Sequence, residues 1–353
     1  GPRLGVERAV EALGVDAAFP IDELAQRLPD YLENAVRAHY GLGDGKGFDE
    51  TFLEALRVSR TRRRGGKLAP SEIIDPGETL HELRMRKESA EIDRMRRAAE
   101  ITRDAHVAAM GICAPGVHEY EIEAELLRVF RRSGSPRPAY ASIVGSGDNA
   151  TILHYHQNDR LMEDGDLLLV DAGAEFDYYA SDVTRTYPVN GRFSKEQAAI
   201  YDLVLRAQKA SIDAVAPGAT IEGVHEVSVG VLVDGLIDLG LLEGAREEAI
   251  EKGSYRSFYM HRTSHWLGMD VHDVGSYHRD GSPRPFDPGV VLTVEPGLYI
   301  PRDAEVDECW RGIGVRIEDD ILVTENGHRN LTADIPRERS EVEELVGSAL
   351  AAR

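Results

Sequence analysis

DLLLVDAGAEFDYYASDVTRTYPV, Asp166 to Val189, is the stretch around which this chain is arranged. Four apolar residues, Leu167 to Val170, lead into Asp171. Beyond a turn, a second run rich in β-branched and aromatic residues carries Asp182. The pattern is that of two strands joined as a hairpin. A turn centred between Phe176 and Asp177 would set Asp171 opposite Asp182 and bring the two carboxylates to about 5 Å. An uncompensated buried carboxylate costs several kcal/mol, so two on one buried face need a partner. A cation is the simplest one.

The same order recurs roughly 100 residues later. A first helix over Leu83 to Gly111, with Ser89 as its N-cap, and a second over Glu119 to Arg132 flank Ala114-Pro115-Gly116. Further on, a helix opened by the capping box of Ser194 and Gln197 and reaching Val215, then another from Thr220 to about Leu239, flank Ala216-Pro217-Gly218. After each helix pair comes a matching strand: DGDLLLVDAG over 164–173 aligns with PGVVLTVEPG over 288–297, and Asp171 falls on Glu295. The next acid-bearing strands supply Asp182 and, in GIGVRIEDDILV, Glu318. Duplicated halves related by a pseudo-twofold axis would bring these four carboxylates together where the halves meet. Between the two sets, the glycine-rich Ser142 to Ala150 superficially resembles a phosphate loop, but no long helix follows and a strand is expected to resume at Thr151, so it reads as a structural turn.

Histidines add to the acids. Of twelve, His261, His265, His272 and His278 fall in the single stretch HRTSHWLGMDVHDVGSYH, and His154 and His156 precede the first acid strand. His261 and His265 could share a helix face, but the residues between them are not those of an HExxH zinc site.

Composition narrows the classes. With 41 basic against 62 acidic residues the net charge is −21, which argues against a nucleic-acid partner. Two cysteines and the absence of a long apolar run point to a reducing cytoplasm and no membrane span. The N-terminal part mixes a strand-like Gly14 to Phe19, a helical Ile21 to Leu32 and a helix near Asp49 to Arg60. Arg62-Arg63-Arg64, beside Gly65-Gly66, reads as a solvated turn. Asp75-Pro76-Gly77 is turn chemistry and sets the expected domain boundary, giving 1–77 and 78–353. The start at Gly1-Pro2, without methionine, reads as a cut fragment or a cleavage scar.

Taken together, VDAGAEFDYYASDVTRTYPVNGRF, MHRTSHWLGMDVHDVG, VLTVEPGLYI and GIGVRIEDDILVT resemble the M24 metallopeptidases, and among them the Xaa-Pro aminopeptidase (aminopeptidase P) group. The resemblance implies an α+β pita-bread fold of two duplicated halves around a dinuclear metal site, preceded by a partial α/β N-terminal domain of which about the second half is present. It implies that Asp171 ligates one metal, that Asp182 and Glu318 bridge both, and that His265 and Glu295 complete the second. It further places His154, His261 and His272 around the substrate, Arg316 beside a ligand carboxylate and Tyr299 as a wall for a proline ring.

Such an oxygen-rich donor set suits hard ions. Two divalent ions are expected, manganese first, with cobalt, zinc or iron as alternatives. The implied activity is hydrolysis of the bond before proline at position 2 of a peptide, by a hydroxide held between the metals. Glu295 would move the proton, and His272 and His261 would donate to the carbonyl oxygen. The expected partners are such peptides and further copies of the chain, as a dimer or tetramer. Two alternatives stay open: a prolidase restricted to Xaa-Pro dipeptides, and a pita-bread protein that binds without catalysis.

Overall fold

The computed structural model describes residues 3–43 and 47–351, so the Gly1-Pro2 start lies outside it. The chain divides into two units, Gly1–His81 and Glu82–Arg353. In the smaller unit, helices α1 (Gly5–Leu13), α2 (Leu24–Tyr31) and α3 (Phe48–Thr61) accompany a parallel pair of strands, β1 (Arg37–His39) and β2 (Glu72–Ile74). Their apolar faces meet at Leu32, Ala38, Phe52, Ala55 and Leu56. No strand forms over Gly14 to Phe19, because Gly14 is the left-handed cap of α1 and irregular backbone follows. Ile21 to Glu23 is a tight 3-10 turn leading into α2, and Arg62 spends its charge on Asp30 and Glu33.

Helix α4 (Gly77–Met85) precedes α5 (Ser89–Ile112). The single helix expected from Leu83 is broken at Arg86 to Glu88, where the Lys87 N–H donates to the Gly289 carbonyl. Glu88, not Ser89, is the cap of α5, in a reciprocal box with Glu91. After α6 (Glu119–Arg132) come β3 (Ile143–Ser146), β4 (Leu167–Asp171), β5 (Glu175–Phe176), β6 (Tyr179–Ala180) and β7 (Thr184–Pro188). The glycine-rich stretch therefore holds a strand and a 3-10 turn, and none begins at Thr151. Strands β3, β4 and β7 form one antiparallel sheet in that order.

The second half repeats the plan. Helices α7 (Lys195–Asp213) and α8 (Ile221–Asp238) start at the Ser194 and Thr220 caps, whose hydroxyls accept N–H groups of the first turn. Helix α9 (Arg246–Lys252) follows, then the short strands β8 (His278–Arg279) and β9 (Ser282–Pro283). Next come β10 (Val291–Val294), β11 (Gly297–Ile300), β12 (Ile313–Arg316), β13 (Asp319–Thr324) and β14 (Gly327–Asn330), and α10 (Arg339–Ala351) closes the unit. Strands β10, β13 and β14 make one antiparallel sheet and β11 with β12 another. The first helix pair packs Ile101, Met110, Ile122, Leu126 and Phe130 against Leu168 and Val170 of β4. The second packs Leu203, Val204, Leu232 and Leu236 against Ile313 and Val315 of β12. Each such side chain contributes about 1.5–3 kcal/mol of burial. This is the pita-bread architecture. Among the described residues, no helix is long and apolar enough to cross a membrane.

The hairpin departs from expectation in register. Asp177 and Tyr178 take φ of 48° and 72°, so the turn is centred between them, one residue later than expected. Asp171 therefore pairs with Thr184, and Asp182 lies ahead of β7 rather than opposite Asp171. What aligns the acids across the halves is Arg185, fully buried, which donates to the carbonyls of Thr184 (3.0 Å), Glu318 (2.6 Å) and Ile335 (3.1 Å) and to the Asp319 carboxylate (2.7 Å). Alongside it, the Glu318 N–H donates to the Thr184 carbonyl at 3.1 Å.

Candidate metal centre

Asp171 ends β4, Asp182 precedes β7, and Glu295 and Glu318 stand one step beyond the last β10–β13 pair, Val294 with Asp319. His265 is not on a helix. It lies in an extended segment whose carbonyl accepts the Thr293 N–H at 3.0 Å, beside the bridge of Trp266 to Leu292. All five side chains line one cavity of about 850 Å³.

Within it, ligand atoms of Asp182, His265 and Glu318 lie within 4.8 Å of one another. His265 Nε2 is 3.3 Å from Asp182 and 3.6 Å from Glu295. His265 Nδ1 sits 3.0 Å from the Trp266 carbonyl, so it carries the proton and Nε2 faces the acids. Outside this group, the Asp182 N–H lies 3.2 Å from both oxygens of Asp320, Thr184 donates to Glu318 at 2.7 Å, and Tyr140 and Arg316 each donate to Asp171 at 2.6 Å.

The electrostatics call for cations. Burial pushes the Glu295 carboxyl up to about 8, against the pull of His265 and Arg316. Burial and the charges of Asp182 and Glu295 hold Glu318 well above the carboxylate range. Asp171 is raised by burial and by Asp182, with Arg316 opposing. Burial disfavours charge on His265, yet its bond to Asp182 and the charge of Glu295 push it up to about 9. Burial and mutual repulsion thus oppose ionisation of Asp171, Glu295 and Glu318, and positive charge placed among them would relieve it. Their oxygens and one imidazole are the donor set of a hard or borderline divalent ion. The residues therefore fit a metal.

The remaining expected site residues divide. His154 and His272 line the cavity, and neither ring has a hydrogen-bond partner among the described residues. The His272 ring packs edge-on against His265, centroids 4.4 Å apart. His261 also lines the cavity, but both its nitrogens are taken: Nδ1 faces the Arg262 carbonyl at 2.8 Å and Nε2 the Tyr299 hydroxyl at 2.9 Å. It has no N–H left for a substrate carbonyl, contrary to expectation. Burial, followed by the charge of Arg316, holds it neutral, with a pKa near 3.

Tyr299, expected as a wall, is instead fully buried behind His261 and Arg316. Arg316 is spent on Asp171, on Thr184 at 3.0 Å and on Tyr299 at 2.9 Å, which makes it a brace for Asp171. Sequence reasoning missed Tyr140 and Asp320. Asp320 is two residues after Glu318, the spacing that puts two strand residues on one face, and that signal was available. Tyr140 sits in an irregular segment and gave none.

Comparison with known proteins identifies the family. Residues 93–325 match metallopeptidase family M24. An Xaa-Pro aminopeptidase of Escherichia coli strain K12 is 47% identical over 349 residues, 99% of this chain and 79% of that one. One from Haemophilus influenzae is 46% identical over 346 residues, 98% and 78% of the two chains. Among solved structures, the Pseudomonas aeruginosa aminopeptidase PepP superposes with a TM-score of 0.97 at 48% identity, over 99% of this chain and 80% of that one. A zinc-substituted E. coli aminopeptidase P in complex with product does so with a TM-score of 0.95 at 47% identity, over 99% and 79%. With its duplicated halves, its acid-lined cavity and these relatives, the chain belongs to metallopeptidase family M24, in the Xaa-Pro aminopeptidase group.

Proposed function

We propose that this chain removes the N-terminal residue from peptides with proline at position 2, and that Asp171, Asp182, His265, Glu295 and Glu318 hold two divalent ions, manganese first. The observation that carries the reading is the convergence of those five side chains in one cavity with His154 and His272, whose imidazoles are free to meet a ligand. Bound there, the ions would lower the pKa of water toward neutrality and so supply a nucleophile at working pH.

The chain's own groups do the rest. Asp182 and Glu318 hold the centre of the cluster, Asp171 is braced by Tyr140 and Arg316, and His265 offers Nε2. Glu295 takes the proton of the attacking water and delivers it to the proline nitrogen as the C–N bond breaks. A tertiary amide needs that delivery, because it leaves as a secondary amine. His272 donates to the carbonyl oxygen as its charge grows, a part His261 cannot share in this arrangement. The acids also attract the substrate's free α-amino group. Homo-oligomeric assembly and a cytoplasmic setting belong to the same reading, the latter supported by two cysteines in 353 residues.

The test is hydrolysis of Xaa-Pro-Xaa, Xaa-Pro and Xaa-Ala-Xaa peptides with and without added manganese. Manganese-dependent release of the first residue from Xaa-Pro-Xaa is expected. Cleavage of the dipeptide alone would make the protein a prolidase. No cleavage together with no affinity for manganese would leave only a binding role.

A further inference from the structure

We propose that Lys87 is a positioning residue for His272, acting through the buried carboxylate of Asp273; this rests on the reading of His272 as the donor to the scissile carbonyl. Among the described residues the His272 ring has no hydrogen-bond partner, so its place depends on its backbone and on its packing against His265. That backbone belongs to the loop from Trp266 to Asp273, which closes on itself where the Asp273 N–H donates to the Trp266 carbonyl at 2.9 Å. The loop is tied to neighbouring strands by the Leu267 N–H on the Val291 carbonyl (3.1 Å) and the Ala180 N–H on the Gly268 carbonyl (2.8 Å).

Under the loop, the Lys87 ammonium lies 2.9 Å from one oxygen of Asp273, with both side chains only 1% exposed. Arg84 takes the other oxygen at 2.5 Å. Gly268 leaves room for the pair: a Cβ there would come 2.1 Å from Asp273 and 2.7 Å from the Lys87 side chain. Lys87 is itself pinned by its N–H on the Gly289 carbonyl at 2.8 Å, in the approach to β10.

A buried ion pair is poor value as a source of stability, since apolar side chains of the same size commonly serve as well. What it supplies is a fixed direction. Here it fixes the residue next to His272 from below, while the ring of His272 faces the cavity. Loss of Lys87 leaves Asp273 still paired with Arg84, so the fold should survive while the loop gains freedom. A displacement of about 1 Å at a reacting group is enough to cost up to a hundredfold in rate.

The experiment is a double-mutant cycle with Lys87→Met and His272→Ala on the manganese-loaded protein, reading kcat, KM and bound metal. Lys87→Met alone is expected to retain its metal and its KM and to lose roughly ten- to a hundredfold in kcat. In the His272→Ala background the same change should cost less than about threefold, because residues acting as a unit are not additive. An equal loss in both backgrounds, or an unchanged kcat for Lys87→Met, overturns the proposal. If His272→Ala itself leaves kcat intact, the reading of His272 fails first, a result separable from failure at Lys87. Should Lys87→Met not fold, Gly268→Ala, which displaces the pair from the loop side, must give the same non-additive loss.

Discussion

His106 is fully buried, with Nε2 3.0 Å from the Ala172 carbonyl and, among the described residues, no hydrogen-bond partner for Nδ1. Nε2 must be the donor, so Nδ1 is bare and the ring neutral. Burial pushes its pKa down to about 4, whereas in an unfolded chain it titrates near 6.5. Between those values the unfolded chain binds the extra proton. This contribution to stability is therefore complete above pH 6.5, is lost as the pH falls toward 4, and is flat below. It amounts to about 3 kcal/mol. In denaturant titrations from pH 7 to pH 4, the stability gap between the protein and His106→Gln should narrow by about that amount; a gap that stays constant would mean the ring titrates in the fold as it does in the unfolded chain. At this scale the sequence was legible where chemistry repeats. The acids announced themselves because Asp171 and Glu295, then Asp182 and Glu318, occupy matching places in two copies of one pattern. His106, Tyr140 and Lys87 are single polar residues whose partners come from distant segments, and no local pattern marks them.

At the scale of elements, periodicity and caps carried most of the reading. Ser194 with Gln197, and Thr220, start their helices where the capping residues say they should. Register was the failure, and it has a physical cause. The hairpin turn uses two non-glycine residues at positive φ, which sequence alone gives no reason to expect. A primed two-residue turn favours Asp-Gly, and Tyr178 holds the second place with 63% of its surface exposed. Tyr178→Gly should then relieve about 1 kcal/mol of left-handed strain, partly offset by the larger entropy of glycine in the unfolded chain. The expected outcome is a gain of roughly 0.5 kcal/mol in chemical denaturation with unchanged activity. A loss of stability would show that the exposed ring packs on its hairpin more than it strains it.

Across the catalytic unit, the proposed metal centre is also the seam. Asp171 and Asp182 come from the first half, His265, Glu295 and Glu318 from the second. Burial is the main cause of the raised carboxyls at Asp171, Glu295 and Glu318, and at Glu295 and Glu318 the charges of Asp182 and Asp171 across the seam add repulsion. Cations bound there replace that repulsion with attraction, so metal removal should loosen the junction before it melts either half. Manganese at a hundred times its dissociation constant should add about 2.7 kcal/mol to the stability of the unit, and a chelator should remove it. Because raised carboxyls and a His265 near 9 hold protons that the metal must displace, the gain should shrink as the pH is lowered from 8 to 6. Hydrogen exchange gives the spatial test. On chelation, amides at the ends of β4, β7 and β12 and at Glu318, whose N–H crosses to Thr184, should exchange faster, while the interiors of α5 and α7, each buried within its own half, keep their protection. Acceleration spread evenly through both helix pairs would mean that the cations stabilise the halves separately, and the seam would then be held by protein contacts such as Arg185 on the Glu318 carbonyl and Arg316 on Asp171.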